Sequence, residues 1–410
     1  MVKVRNLKFG EVFMINEYKV KQLLDKGVKV PAPDSIEIGD DVDTKRISGT
    51  GVTIHSGCRI FGSSTFISDG CVIGRQGPAT IENCWLAPDV HVNGGYVKSS
   101  VFLNKVTIGY GAQIREGTIL EEEASVAHTV GLKQTVLFPF VTLGSLINFC
   151  DCFMSGGTSR KNHSEVGSSY IHFNYTPNQD KATASLLGDV PKGVMLNNKP
   201  IFLGGQGGLV GPVRLNYGTV IAAGTIQRKD QLEPDRLLFG GALKPGNIKH
   251  TPGLYQNVNR MVDHNVYYIA NLIALMNWYH HVRSRCVSER FPLPLIQGLT
   301  WTLSQCIQER LKRLKDFLNK ASEFSFPQSD INWERVALEI NRLAEPEPCV
   351  SIEKRDIFLR HFDLHLKDNV DKDYVALIQS LDTETSLSGT AWLADVVEHV
   401  HEYILGMIKK

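Results

Sequence analysis

A left-handed parallel β-helix followed by an α-helical unit is the fold class this sequence predicts, and three observations predict it. In IFLGGQGGLVGPVRLNYGTVIAAGTIQRKD, Ile201 to Asp230, the aliphatics Leu203, Leu209, Leu215 and Ile221 recur six apart, with small or turn-forming residues between them. A period of six fits neither the 3.6 of an α-helix nor the 2 of an alternating strand. It is the hexapeptide rhythm, in which three short strands make a triangular coil and each aliphatic stacks on its counterpart one coil away. The rhythm also runs through Ile108, Ile114, Leu120 and Val126, and from Leu254 it gives way to the i, i+3, i+4, i+7 spacing of amphipathic helices.

In chain order, residues 1–33 read as a lead-in with one short helix, Glu17 to Lys26, closed by Gly27. The β-helix domain is expected over residues 34–230, opening at Ile36 and Ile38 and continuing through Ile54, Ile60, Ile67, Ile73 and Ile81. Gly57, Gly62, Gly70 and Gly74 fall between aliphatics, where a tight corner calls for positive φ. Cys58, Cys71 and Cys84 recur thirteen apart, out of step with a coil of about eighteen residues, and read as small wall hydrophobes. A break is expected at Lys133 to Pro139. Asp151 to Lys199, rich in Gly, Ser, Asn and Lys, reads as loops thrown out from the wall, where binding residues concentrate. Residues 231–253 read as a linker and 254–410 as the α-helical domain. Helices are expected there at about 254–283, 296–324, 331–343, 374–381 and 391–407.

Composition narrows the function classes. The chain has 410 residues, 42% hydrophobic and 21% charged, with a formal net charge of +1. Near-neutrality without a long basic run argues against nucleic-acid binding. The opening MVKVRNLKFGEVF has no apolar segment with a cleavage site, and the apolar run Val266 to Trp278 is interrupted by Asn271 and Asn277, too short for a bilayer. Eight cysteines without a CxxC pair suit reduced thiols, and a cytoplasmic protein without membrane partners is expected. Flat polar faces on a parallel prism suit self-association, and a homotrimer packed face to face is the expected assembly.

Two blocks carry a resemblance. VGSSYIHFNY (Val166 to Tyr175) and FLGGQGGLVGPVRLNYGTVIAAGTI (Phe202 to Ile226) resemble the acetyltransferase domain of bifunctional N-acetylglucosamine-1-phosphate uridyltransferase/glucosamine-1-phosphate acetyltransferase. The resemblance spans about Val30 to Asp230. It implies a left-handed β-helix trimer that moves an acetyl group from acetyl-CoA, or another acyl-CoA, to an amino-sugar phosphate or nucleotide sugar. It further implies that Asn174 and Tyr175 touch sugar and coenzyme, that Gly205 stands where the family has a serine near the acetyl group, and that Ala223, with Ala222 beside it, meets coenzyme A. The family's histidine base falls at Asp151, and an insertion separates Tyr175 from Phe202. The family's uridyltransferase domain, with its Gly-rich loop, is not expected in this chain.

N-acyl transfer needs a base for the attacking amine and donors for the oxyanion. His163 and His172 are the candidate bases, each weighed against a bystander histidine. Arg160, Lys161 and Lys181 are candidate substrate-phosphate contacts, weighed against solvated loop charges. No Lys-Ser/Thr follows the Gly204 to Gly208 run, so it reads as close approach rather than a phosphate loop. Metal is not expected, although His55, His91, His128 and His163, spaced 36, 37 and 35 apart, could line one face as in hexapeptide-repeat carbonic anhydrases, which bind zinc. The remaining alternative is a non-catalytic trimeric β-helix that binds a sugar nucleotide or a protein partner.

Overall fold

A computed structural model describes residues 9–240, 245–247, 249, 254–255, 257–322, 331–346 and 350–409, with side chains from Asn16. Residues 241–244 and 250–253 of the expected linker, and residues 1–8 of the lead-in, lie outside the described residues. The predicted β-helix is present. Short strands pair in parallel with the strand one coil away, as in Thr107 with Ser125, eighteen residues on, and Ser125 with Thr142, seventeen on. The first face is a sheet of ten strands, from Thr53–Ile54 to Leu237–Leu238. The second face runs from Glu37–Ile38 to Ile226–Gln227 and the third from Phe66–Ile67 to Arg214–Leu215. These two join into one sheet of sixteen strands because Gly131–Leu137 and Asn148–Met154 each continue round the corner between them.

Inside the prism, Ile54, Ile60, Ile67, Ile73, Ile108, Ile114, Leu120, Leu203, Leu209 and Ile221 are all fully buried, as the hexads require. Most corners are turned by a residue at positive φ. The column between second and third faces runs Gly62 (93°), Asn83 (51°), Ser99 (44°), Gly117 (77°), Gln134 (50°) and Asp151 (60°). A non-glycine residue there costs about 1 kcal/mol or more, which the stacked backbone hydrogen bonds above and below must offset. Helix α1 (Phe9–Asp25) closes the N-terminal end. Its Val20 and Leu23 join the prism core, and Lys19 Nζ donates to the carbonyls of Gly39, Asp40 and Val42 at 2.7–2.8 Å.

The third face is apolar on its outer side as well. Trp85, Val101, Ile119, Val136, Phe153 and Leu186 form one in-register column pointing outward, and all are buried. What covers them is the helical unit. It comprises α3 (Val258–His281), α4 (Leu293–Ser322), α5 (Trp333–Ala344), α6 (Ile352–Asp368), α7 (Tyr374–Gln379) and α8 (Thr383–Ile408), following a single turn, α2 (Val190–Gly193), on the prism. Helices α3 and α4 lie on the third face, so its strands are buried on both sides and carry adjacent apolar residues, as in Cys152–Met154, CFM.

Three expectations are corrected. No break occurs at Lys133 to Pro139, because Gln134 alone turns the corner within a continuous strand. Asp151 to Lys199 is not all loop: strands at Asn148–Met154, Glu165–Val166, Ile171–Phe173 and Ser185–Leu187 carry the wall through it. Only 155–164, 174–184 and 188–201 leave the wall. Helix α6, whose polar residues dilute its periodicity, has no counterpart among the sequence expectations.

A charged cluster sits in the junction. Arg283, fully buried at the end of α3, donates to both carboxylate oxygens of Glu122 at 2.6 and 2.8 Å and lies over the Tyr374 ring at 3.4 Å. Glu121 accepts from Tyr279 Oη at 2.7 Å. Burial pushes the Glu121 carboxyl up to about 7, against the pull of Arg283. A proton that the folded chain holds between pH 4.5 and about 7 is one the unfolded chain has released. This contribution to stability is therefore complete at low pH and lost as pH rises through about 7. Burial lowers His281 to about 4, which acts in the opposite sense over much of the same window. The Glu121 effect is therefore read as a difference: Glu121→Gln, which mimics the protonated acid, should gain stability over wild type by a growing margin from pH 5 to pH 8. Thermal melts across that range check this, and a pH-independent margin would contradict it.

Candidate functional site

The residues singled out from sequence sit on all three corners of the prism. At the corner between first and second faces, Gly204 and Gly205 lie beside Ala222 and Ala223 of the next coil. A Cβ on Gly204 would stand 2.3 Å from the Ala223 nitrogen, and one on Gly167 would stand 2.4 Å from the Gly205 nitrogen. Only glycine lets these coils approach so closely. The result is a ledge of small residues, with Gly205 and Ala222 partly exposed and Ala223 exposed. The exposed side chains of Phe202 and Val220 flank it on the first face, and those of Ile171 and Ile226 on the second. Arg228 and Lys229 follow at the end of the Ile226–Gln227 strand.

At the second corner the geometry is a clamp. Asp151 is 3% exposed; its Oδ2 accepts from Asn174 Nδ2 at 2.8 Å, and its Oδ1 pairs with Arg310 Nη2 of α4 at 2.7 Å. Arg310 is 1% exposed and also donates to the Lys181 carbonyl at 3.1 Å. The Asn174 amide is thus engaged with the carboxylate, and the Asn174 backbone carbonyl accepts from Thr183 Oγ1 at 2.9 Å. Tyr175 remains exposed, with Lys181 Nζ 5.9 Å from its ring centre. Lys320 of α4 donates to the carbonyls of Asn178 and Gln179, which ties this loop to the helical unit.

The third corner holds Arg160, Lys161 and His163. Arg160 Nη1 donates to Phe140 O and Thr142 Oγ1, both at 2.9 Å, and to Glu123 O at 3.1 Å, so this guanidinium staples the loop 155–164 to the coils beneath. Lys161 is exposed. His163 Nδ1 donates to the Arg160 carbonyl at 2.8 Å, leaving Nε2 3.4 Å from Glu165 Oε2.

His172 is somewhere else entirely. Expected in a loop, it lies on a strand in register with Leu209 and points into the prism, 3% exposed. Its Nδ1 donates to Cys150 O at 2.6 Å and its Nε2 accepts from Ser185 Oγ at 2.8 Å. Burial lowers its pKa, so both nitrogens are committed in the neutral ring. That is how a polar group survives in an aliphatic stack.

The structure therefore brings together Gly205, Ala222 and Ala223. It also brings together Asn174, Tyr175 and Lys181, and separately Arg160, Lys161 and His163. It does not bring the three sets together within one chain. The four spaced histidines do not align: His55 and His128 stand by the first corner, His91 on the first face and His163 by the third. Among the described residues no group of three or more His, Cys, Asp or Glu is placed to hold a metal ion. No helix among them is long and apolar enough to cross a membrane. The partner of Asp151 was not foreseen from sequence, because nothing links residues 151 and 310 until the helices are docked.

Comparison with known proteins agrees with the fold. Residues 53–135 match the family described as GlmU-like, C-terminal hexapeptide. The chain is 26% identical over 226 residues to the bifunctional protein GlmU of Thermotoga sp. (strain RQ2), covering 55% of this chain and 45% of that protein. It is 27% identical over 224 residues to the bifunctional protein GlmU of Nitratidesulfovibrio vulgaris (strain DP4), covering 53% and 43%. The chain spans less than half the length of these curated relatives. The resemblance stated from sequence is borne out at this level: residues 53–135 of the prism match a GlmU-like hexapeptide domain, and about half of the chain is similar to GlmU.

Asp151 and Arg310 should behave as a buried pair. Asp151→Leu and Arg310→Met each leave the other group as an uncompensated buried charge and should each cost about 3–5 kcal/mol. The double variant Asp151→Leu/Arg310→Met should lose much less than the two single losses added together. Denaturant melts of the four proteins test this, and simple additivity would show that the two groups are not coupled.

Proposed function

We propose that this chain is an acyltransferase-like protein that moves an acyl group from acyl-CoA to an amino-sugar phosphate or nucleotide sugar. The observation that carries the reading is the ledge at Gly204–Gly205 and Ala222–Ala223. A slender pantetheine arm, amide-bearing and weakly apolar, suits a surface of exposed backbone and small side chains. Arg228 and Lys229, one strand further round, suit the anionic end of such a molecule. In the reaction the acceptor amine attacks the thioester carbonyl, a C–N bond forms and the C–S bond breaks. The amine proton passes to a base, and the thiolate takes up a proton on leaving.

His163 is favoured over His172 as that base. Its side chain is partly exposed and its Nε2 faces Glu165, whereas His172 is sealed inside the prism with both nitrogens bonded. Tyr175 with Lys181, and the exposed Lys161, are the proposed contacts for the sugar phosphate, with Asn174 and Arg160 shaping the loops that carry them. Because these sets occupy different corners, a complete site needs a second copy to bring unlike corners together. Among the described residues α3 and α4 cover the third face, which leaves the first and second for the trimer proposed here.

One observation favours a second reading, a non-catalytic sugar-nucleotide or partner-binding prism. The residue standing where the related enzymes have their histidine base is Asp151, and it is locked by Arg310 and Asn174.

Acetyl-CoA in large excess over its dissociation constant should raise the melting temperature of wild type by several degrees, as a ligand that binds only the folded chain must. Ala223→Trp, an exposed change on the ledge, should abolish that shift. Release of free thiol with glucosamine 1-phosphate or a UDP-amino sugar then separates the readings. Release dependent on His163 supports transfer; stabilisation without release supports the binding protein; no stabilisation at all rejects the coenzyme site.

A further inference from the structure

A second cleft lies apart from the ledge, between α4 and the prism corner that joins the second and third faces. Its volume is about 450 Å³, within the range of small-molecule sites. One wall is a single stripe of α4: Trp301, Gln305, Gln308 and Lys312, spaced four, three and four residues apart and therefore on one side of the helix. The opposite wall is the corner column itself, Ser99, Gly117 and Gln134, with Glu116 and Lys133 beside it.

Three features say that this cleft is built to take a ligand. Trp301 is 45% exposed although it packs against Trp85 with ring centres 5.5 Å apart, so a large aromatic surface is held in place yet left uncovered. Gln134 is only 7% exposed; its Nε2 donates to Glu116 O at 3.3 Å, but its Oε1 has no hydrogen-bond partner. A buried carboxamide oxygen without a donor is costly, and here it belongs to a residue lining a cleft. Third, a Cβ on Gly117 would stand 2.3 Å from Gln134 Nε2, so the glycine leaves the space in which that amide lies. The walls are held at fixed spacing by Cys306 Sγ donating to Gly117 O at 3.2 Å and by the Arg310–Asp151 pair one turn further along α4.

We infer that this cleft between α4 and the Ser99–Gly117–Gln134 corner is a binding site for a pyranose sugar. An exposed indole offers an apolar surface for the C–H side of a pyranose ring. Planar amides and a carboxylate–ammonium pair, here Glu116 with Lys133 at 2.5 Å, are donors and acceptors for its hydroxyls. Lys312 at the rim accommodates a phosphate or carboxylate substituent without demanding one. The site is independent of the acyl-CoA ledge and stands whether or not that reading does.

The test is calorimetric titration of the full chain with glucose, N-acetylglucosamine and glucose 1-phosphate, with uridine as the control for a stacked base. Pyranose binding is expected, weakened roughly tenfold or more by Trp301→Ala. Glucose 1-phosphate should lose any advantage over glucose in Lys312→Ala. Gln305→Ala, an exposed rim change, serves if Trp301→Ala does not fold. Absence of pyranose binding to wild type, equal binding by the Trp301 or Gln305 variants, or Trp301-dependent binding of uridine but no sugar would each overturn the assignment.

Discussion

Everything in the prism depends on each coil lying in register on the one beneath, so that backbone donors and acceptors are satisfied along the axis. That constraint favours corners that turn within a few residues, and most of those turns are made by a residue in the left-handed region. Where glycine supplies it the conformation is free of strain; at Asn83, Ser99, Gln134 and Asp151 a side chain is carried there as well. These corner side chains project at fixed height on a rigid scaffold. Corners are consequently where polar chemistry accumulates, while the inward positions are filled mainly by aliphatics, with cysteines and a few aromatics among them, and His172 is held there by two hydrogen bonds.

The helical unit meets the prism through apolar area and through buried charge, and the two act differently. The column from Trp85 to Leu186 gains stability from burial under α3 and α4, but a stripe of aliphatics tolerates sliding. Arg283 on Glu122 and Arg310 on Asp151 do not, since a displaced guanidinium would leave an unpaired charge in the interior. The hydrophobic column thus drives docking, and the two arginines fix its register. Because α4 is positioned in this way, its outer stripe stands at a constant distance from the Gln134 corner, which is what keeps a cleft open between them.

How much of this was legible depended on range. The hexads at Leu203 to Ile221 and Ile108 to Val126 are local, and the buried stack follows from them directly. The corner glycines Gly57, Gly62, Gly70 and Gly74 were legible for the same reason, and each has positive φ. Asp151 to Lys199 was misread because its Gly, Ser and Asn content resembles loop, yet the strand triplets within it keep their inward residues. His172 went astray with it, since a histidine at an inward hexad position is told from a loop histidine only by the register of its strand. The pairings of Asp151 with Arg310 and Glu122 with Arg283 were out of reach, being separated by more than 150 positions. A signal for the covered face did exist: TIL, TVL, CFM and SLL are apolar at adjacent positions, which a strand with one wet side does not need.

That covered face also limits what the prism can do next. A triangular column with all three faces bare can associate through any of them; this one has lost the third to its own helices. Face-to-face association, as proposed, is left with the first and second faces, and the corner those two share is the ledge of Gly205, Ala222 and Ala223. Exposed Phe202, Val220 and Leu237 on one side, and Ile171, Phe173 and Ile226 on the other, give both contacts apolar surface near that corner. An assembly of this kind draws the ledge into the contact and leaves the Tyr175 and His163 corners at its edges. Groups that one chain holds apart on three corners can then meet across a boundary between copies. The fold thereby separates two tasks: a ladder that must not change, and corners whose partners are chosen by how copies and helices are placed around it.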